Sequence, residues 1–129
     1  MSQLIGKEGF EILPEEVPLN IISLAKDCAY RSGSRFRLGA VIYKGREIIG
    51  RGWNKADKTH PLASTPYSTI HAEFDAIIKA EPNKVRGADI YIHRILRNGK
   101  PALARPCLHC LKMLRTKGIR NIYFSLDIL

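Results

Sequence analysis

The sequence predicts an α/β fold with a mixed sheet of about five strands. Three observations predict it. Apolar residues recur at helical spacing in three segments, short β-rich runs lie between them, and turn residues separate the two. At 129 residues the chain has the length of one domain, so residues 1–129 are expected to form a single unit with 1–18 as an N-terminal arm. A chain this long can bury a core without disulfide staples.

Residues 1–18 show no strong periodicity and carry Pro14 and Pro18, so an irregular lead-in is expected. Ile21, Leu24, Ala25, Cys28 and Ala29 then fall on one face of a helix, with Asn20 as its cap and Gly33 as its stop. On that face Cys28 reads as a small core hydrophobe. Runs at 38–43 and 47–50, joined through Lys44-Gly45, predict a β-hairpin. The polar stretch 54–69, with Pro61 and Pro66, is long for a compact domain, and long loops tend to be functional or mobile.

Ile70, Phe74, Ile77 and Ile78 share a face of a second helix, capped by Ser68 or Thr69 and stopped near Ala80 by Pro82. Residues 88–96 alternate as a strand. Asn98-Gly99 supplies a hairpin turn, and 100–105 returns as a short strand. Pro106 suits the first position of a third helix, on which Cys107, Cys110, Leu111 and Leu114 share a face. Gly118 closes that helix and 119–125 forms the last strand. The order is α, β, β, α, β, α, β. The first strand pair is antiparallel, and the helix-linked late strands are parallel.

Composition narrows the function. Hydrophobic residues are 45% and charged residues 26%, which excludes wholesale disorder. The net charge is +9 and uneven: residues 1–20 hold Lys7 against Glu8, Glu11, Glu15 and Glu16, so residues 21–129 carry +12. Such an excess favours phosphate-bearing partners. No run approaches a transmembrane length, and no basic segment with an apolar follow-on marks a secretory signal. Three cysteines, Cys28, Cys107 and Cys110, read as reduced thiols in a cytoplasmic protein.

Two strings carry chemistry: His71-Ala72-Glu73 and Pro106-Cys107-Leu108-His109-Cys110, each opening a predicted helix. Separately they are weak. Together they form the H-x-E and P-C-x-x-C signature of zinc-dependent base deaminases. One imidazole and two thiolates leave a fourth tetrahedral position of Zn²⁺ open, as in a catalytic site. Helix N-termini favour thiolates. Glu73 is two residues from His71, close enough to reach the metal's water without binding the metal. A redox C-x-x-C would need no His-Ala-Glu partner. A structural zinc site would want a fourth ligand, for which His60 in the long loop is better placed than His93 in a strand or His109 between the cysteines.

At these residues the chain resembles the cytidine deaminase-like superfamily, most of all its CMP/dCMP deaminase branch, from about Ile21 to Ser125. Leu38-Gly39-Ala40-Val41-Ile42 and Gly50-Arg51-Gly52-Trp53-Asn54 resemble the first and second strands of those proteins. The resemblance implies a three-layer α/β/α sandwich. It implies that His71, Cys107 and Cys110 hold Zn²⁺ and that Glu73 shuttles protons. Asn54 would bind the substrate's sugar or base edge, the Ala72 N–H the pyrimidine carbonyl, and the Pro106 carbonyl the exocyclic amine. It also implies a homo-oligomer. Three departures bear on the substrate: Arg105 before the Pro-Cys pair, Asp75 where many relatives have Asn, and the long link 96–105.

The function expected is hydrolytic deamination of a cytosine nucleotide such as dCMP, with Arg35, Arg37, Lys55, Lys58 and Arg105 flanking the pocket. An alternative is a nucleic-acid editor, acting on tRNA adenosine or single-stranded DNA cytosine. The +12 charge favours it, while aromatics at 8% supply few stacking platforms beyond Trp53 and Tyr67. A non-catalytic nucleic-acid-binding module is the reading of another class, against which Glu73 argues.

Overall fold

Sequence periods of two and 3.6 resolve into one mixed sheet with helices on both faces. The computed structural model describes residues 2–6, 9–13, 17–55 and 70–126, the first two segments by backbone alone. In chain order the elements are β1 (Ser2–Gly6), β2 (Gly9–Leu13), α1 (Leu19–Arg31), β3 (Arg37–Lys44), β4 (Glu47–Trp53), α2 (Ala72–Lys79), α3 (Pro82–Val85), β5 (Asp89–Ile95), β6 (Pro101–Ala102), α4 (Leu108–Thr116) and β7 (Asn121–Ser125). The sheet order is β2-β1-β7-β5-β3-β4, with β6 paired to β5. The β3–β4 pair is antiparallel and the β5–β7 pair is parallel, as the element order implied.

Strand alternation divides the core in two. Ala40, Ile42, Ile90, Ile92, Ile122 and Phe124 face α2 and α4. Val41, Tyr43, Tyr91 and Tyr123 face Ile21 and Ala25 of α1. Both faces are therefore apolar, and the result is the three-layer α/β/α sandwich. Full burial of side chains such as Phe124 and Ile42 contributes about 1.5–3 kcal/mol each.

Two glycines let the layers approach. A Cβ on Gly39 of β3 would overlap the Ala25 carbonyl of α1. One on Gly52 of β4 would lie 2.5 Å from the Ala76 nitrogen of α2. Turns follow the expected chemistry: Gly45 (φ 59°) serves the β3–β4 hairpin and Gly118 (φ 88°) ends α4.

Several expectations are corrected. The stretch 1–18 is no irregular arm throughout: β1 and β2 form a hairpin, and β1 pairs antiparallel with β7. The open edge of β7 supplies the hydrogen bonds that local periodicity did not announce. Asn20 is inside α1, whose cap position is Pro18; the Pro18 carbonyl accepts from the Ile21 and Ile22 N–H groups. α1 ends at Arg31 with Ser32 as its C-cap, one residue before Gly33.

The cap of α2 is His71, and Ile70 is not helical. Paired backbone hydrogen bonds with Lys55, 2.9 and 3.1 Å, hold Ile70 extended. Ser68 and Thr69 lie outside the described residues. Pro106 precedes the cap of α4, which is Cys107. The short α3 after Pro82 was not anticipated, and the return strand β6 is only two residues long. Among the described residues no helix is long and apolar enough to cross a membrane.

Candidate active site

The starts of α2 and α4 meet. His71 is held extended (φ −74°, ψ 152°) by the Lys55–Ile70 bridge behind it, so its ring leaves the helix before the first turn. Cys107 caps α4, its Sγ accepting from the Cys110 N–H at 3.4 Å. Cys110 is buried in the first turn of the same helix. His71 Nδ1 lies 3.1 Å from Cys110 Sγ and 3.6 Å from Cys107 Sγ, and all three donor atoms fall within 4.8 Å of one another.

Tetrahedral zinc with ordinary Zn–S and Zn–N bonds has N–S edges of about 3.5 Å, so the spacing fits. This is the one such three-residue group found among the described residues. Of the spare histidines, His93 is buried in β5 against Tyr91, His109 is exposed, and His60 lies outside the described residues.

The electrostatics fit a cation as well. Burial pushes the Cys110 thiol far up, and the charges of Glu73 and Cys107 push it further. Two ionised thiols in that setting need positive charge beyond what helix N-termini supply. Glu73, 4% exposed, is raised by burial, against the opposing pull of its own N–H, His71 and Cys110. It is a carboxyl beside the ligand cluster and outside it.

A cavity of about 440 Å³ opens on these groups, lined by His71, Ala72, Glu73 and Cys107. Ala72, the first residue of α2, is buried, and its N–H has no partner within the helix. Pro106 is buried directly before Cys107 and does not line the cavity. Asn54 lines it from the end of β4. Its Oδ1 accepts from the Leu38 N–H at 2.9 Å, and its Nδ2 donates to the Phe36 carbonyl. Asn54 thus pins the segment entering β3, while one lone pair and one N–H of its amide remain.

The basic residues separate. Arg35 and Arg105 line the cavity, and Arg37 lines a neighbouring one. Lys55 pairs with Asp75 at 2.6 Å and covers the Trp53 ring. Lys58 and Tyr67 lie outside the described residues. Asp75 does not line the cavity. It accepts from the Trp53 N–H, Lys55 and Lys79, a clamp between α2 and β4. Sequence reasoning missed Arg94 and Ser34, both on the cavity wall. Nothing in a motif marks them; the β3–β5 register, which sets Arg94 opposite Leu38, brings Arg94 there.

Relatives share this arrangement of elements. The profile of the cytidine and deoxycytidylate deaminase zinc-binding region matches residues 15–126. A deoxycytidylate deaminase from Mycobacterium phage D29 is 25% identical over 124 residues, covering 80% of this chain and 89% of its own. The apo dCMP deaminase of cyanophage S-TIM5 superposes with a TM-score of 0.59 at 23% identity, over 83% of this chain and 80% of that one. A mutant cytidine deaminase from Mycobacterium tuberculosis superposes with a TM-score of 0.54 at 18% identity, over 87% and 92%. These two structures share the fold. The profile covers both helix starts that carry His71, Glu73, Cys107 and Cys110, and the chain belongs to the cytidine and deoxycytidylate deaminase zinc-binding family.

Proposed function

We propose that this protein catalyses the hydrolytic deamination of a cytosine nucleotide, dCMP or a close relative, to the uracil form with release of ammonia. One observation carries the reading: the buried Glu73 carboxyl beside the His71, Cys107 and Cys110 cluster, with Glu73, His71 and Cys107 lining one cavity. His71, Cys107 and Cys110 are the residues that would hold Zn²⁺. Bound there, the ion supplies Lewis acidity that brings the pKa of a water towards about 7.

Glu73 does the proton work. Burial favours its protonated form, which suits a carboxyl that takes a proton and gives it back. The proton goes first to the ring nitrogen beside the amine-bearing carbon. A second transfer to the amine lets ammonia leave and the carbonyl form. The Ala72 N–H orients the base, and Asn54 fixes the wall while offering its remaining lone pair and N–H. The Pro106 carbonyl, which the resemblance offers to the exocyclic amine, is not on the cavity wall.

Two further expectations travel with this reading. All three cysteines are free thiols, in keeping with a reducing cytoplasm. An assembly of at least two copies is expected from the resemblance, and sedimentation equilibrium measures it.

The substrate panel tests the proposal: ammonia release from dCMP, CMP, dCTP, cytidine, cytosine, single-stranded DNA and tRNA, with Glu73→Ala as control. Turnover of a cytosine nucleotide that Glu73→Ala abolishes is expected. Zinc-loaded protein silent on every substrate would overturn the reading and leave the non-catalytic one.

A further inference from the structure

Beside the candidate active site lies a second cavity, of about 310 Å³, that shares Arg35, Phe36 and Arg94 with the first. Its other walls are Arg37, Arg97 and the apolar Ile95 and Leu96. Four guanidinium groups line it and no acidic side chain does. Among the described residues, no salt bridge reaches any of the four.

Two of the four arginines, Arg35 and Arg94, are held against an aromatic ring. The Phe36 ring, 54% exposed, carries the Arg94 guanidinium 4.9 Å and the Arg35 guanidinium 5.9 Å from its centre. An aromatic face positions a guanidinium without neutralising it. Arg94 Nε is buried with no hydrogen-bond partner, and so is Ser34 Oγ on the adjoining wall. Unmet buried donors and converging like charges both favour an anion. Phosphate oxygens suit guanidinium forks better than any other common biological anion except carboxylate.

The link 96–105 adds Leu96 and Arg97 to this surface. Leu96 accepts the Gly99 N–H and donates to the Lys100 carbonyl, so Arg97 lies in a tight turn. β6 then returns along Arg94 and Ile95.

We propose that this arginine-lined cavity is a second phosphate subsite continuous with the active-site pocket, so that the substrate carries a phosphate beyond the one of a nucleoside monophosphate. This rests on the deaminase reading above and moves its preferred substrate from a monophosphate to a cytosine compound with at least one further phosphate. The second phosphate belongs either to a nucleoside triphosphate or to the next phosphodiester of a single strand.

The test compares kcat/KM for deoxycytidine, dCMP, dCTP and a short cytosine-containing single strand at fixed low salt. It uses zinc-loaded wild type and the Arg37→Gln/Arg97→Gln double variant, whose two positions line the second cavity only. Arg46→Gln/Lys117→Gln, at two exposed sites, removes the same charge elsewhere. Wild type is expected to prefer dCTP or the strand over dCMP at least tenfold, and the favoured one identifies the source of the phosphate. In Arg37→Gln/Arg97→Gln that preference, referred to deoxycytidine, should fall at least tenfold.

Calorimetric binding of inorganic tripolyphosphate gives a readout independent of turnover and should weaken at least tenfold in the same variant. It decides the subsite even if no cytosine compound is deaminated. Equal use of dCMP, dCTP and strand, or tripolyphosphate binding unaltered in the variant, overturns the proposal. So does an equal loss in the charge-matched control, which would point to the general field of the protein.

Discussion

Glu73 and Cys110 share a buried corner in which burial raises the cost of ionising both. The Glu73 charge pushes the Cys110 thiol further up, while the hydrogen bond with Cys110 eases ionisation of Glu73. Their roles separate on substitution. Glu73→Gln keeps the shape and the three ligands but cannot cycle a proton. It should retain zinc and lose about 10²–10⁴-fold in kcat, the usual share of general acid–base catalysis. Cys110→Ala should lose the metal itself, measured as zinc per chain after dialysis. At this scale the sequence was highly legible where a residue's role follows from spacing along one helix start. His71 and Glu73 are two apart, and Cys107 and Cys110 are three apart. It was illegible where the contact crosses the sheet, as for Arg94 and Ser34, because strand register is not written in local pattern. Asp75 drew notice for the right reason and the wrong place: it is unusual, and it clamps α2 to β4 rather than lining the pocket.

That clamp belongs to the scale of elements. Burial would raise the Asp75 carboxyl, but hydrogen bonds from Lys55, Lys79 and the Trp53 N–H outweigh it and hold the group low. Asp75→Ala leaves a sheltered N–H and two ammonium groups without their acceptor. It should cost about 1–3 kcal/mol in urea unfolding, and Asp75→Asn less. Gly52→Ala should be at least comparable, since its Cβ meets the backbone of α2 and not a yielding side-chain tip. Shifting α2 moves His71 and Glu73 with it, so zinc affinity should fall alongside stability. Helix and strand interiors were legible as periods, whereas their starts were not. Ile70 fits the apolar face of α2 by spacing, yet its bridge to Lys55 keeps it extended and delays the helix to Ala72. β1 and β2 escaped notice because a five-residue strand is defined by the edge it joins.

Across the whole molecule, the near-continuous apolar runs in β3, β5 and β7 made the α/β class readable, since a sheet apolar on both faces must be covered on both. It also buries one titratable group that the chemistry does not use. Burial, aided by the charge of Lys26, pushes His93 down to about 4 from its ordinary 6.5. The folded protein thus holds His93 neutral where the unfolded chain binds a proton. Its contribution is fully present above pH 6.5 and is lost as pH falls towards 4, a difference of roughly 3 kcal/mol. Denaturant unfolding at pH 7.5, 5.5 and 4.5 should show that decline, and His93→Gln should flatten it. The +12 charge of residues 21–129 first suggested any phosphate-bearing partner. The arginines around Phe36 now give that charge a location next to the site of chemistry.

The central claim is that His71, Cys107 and Cys110 hold a catalytic zinc for which Glu73 is the proton carrier. Simultaneous quantification of ammonia and the uracil product from a cytosine nucleotide, by zinc-loaded wild type and by zinc-loaded Glu73→Gln, tests it most directly. Equimolar ammonia and uracil product from wild type, with at least about a hundredfold less from Glu73→Gln, is the expected result. Equal rates in the two proteins, each carrying one zinc per chain, would contradict it.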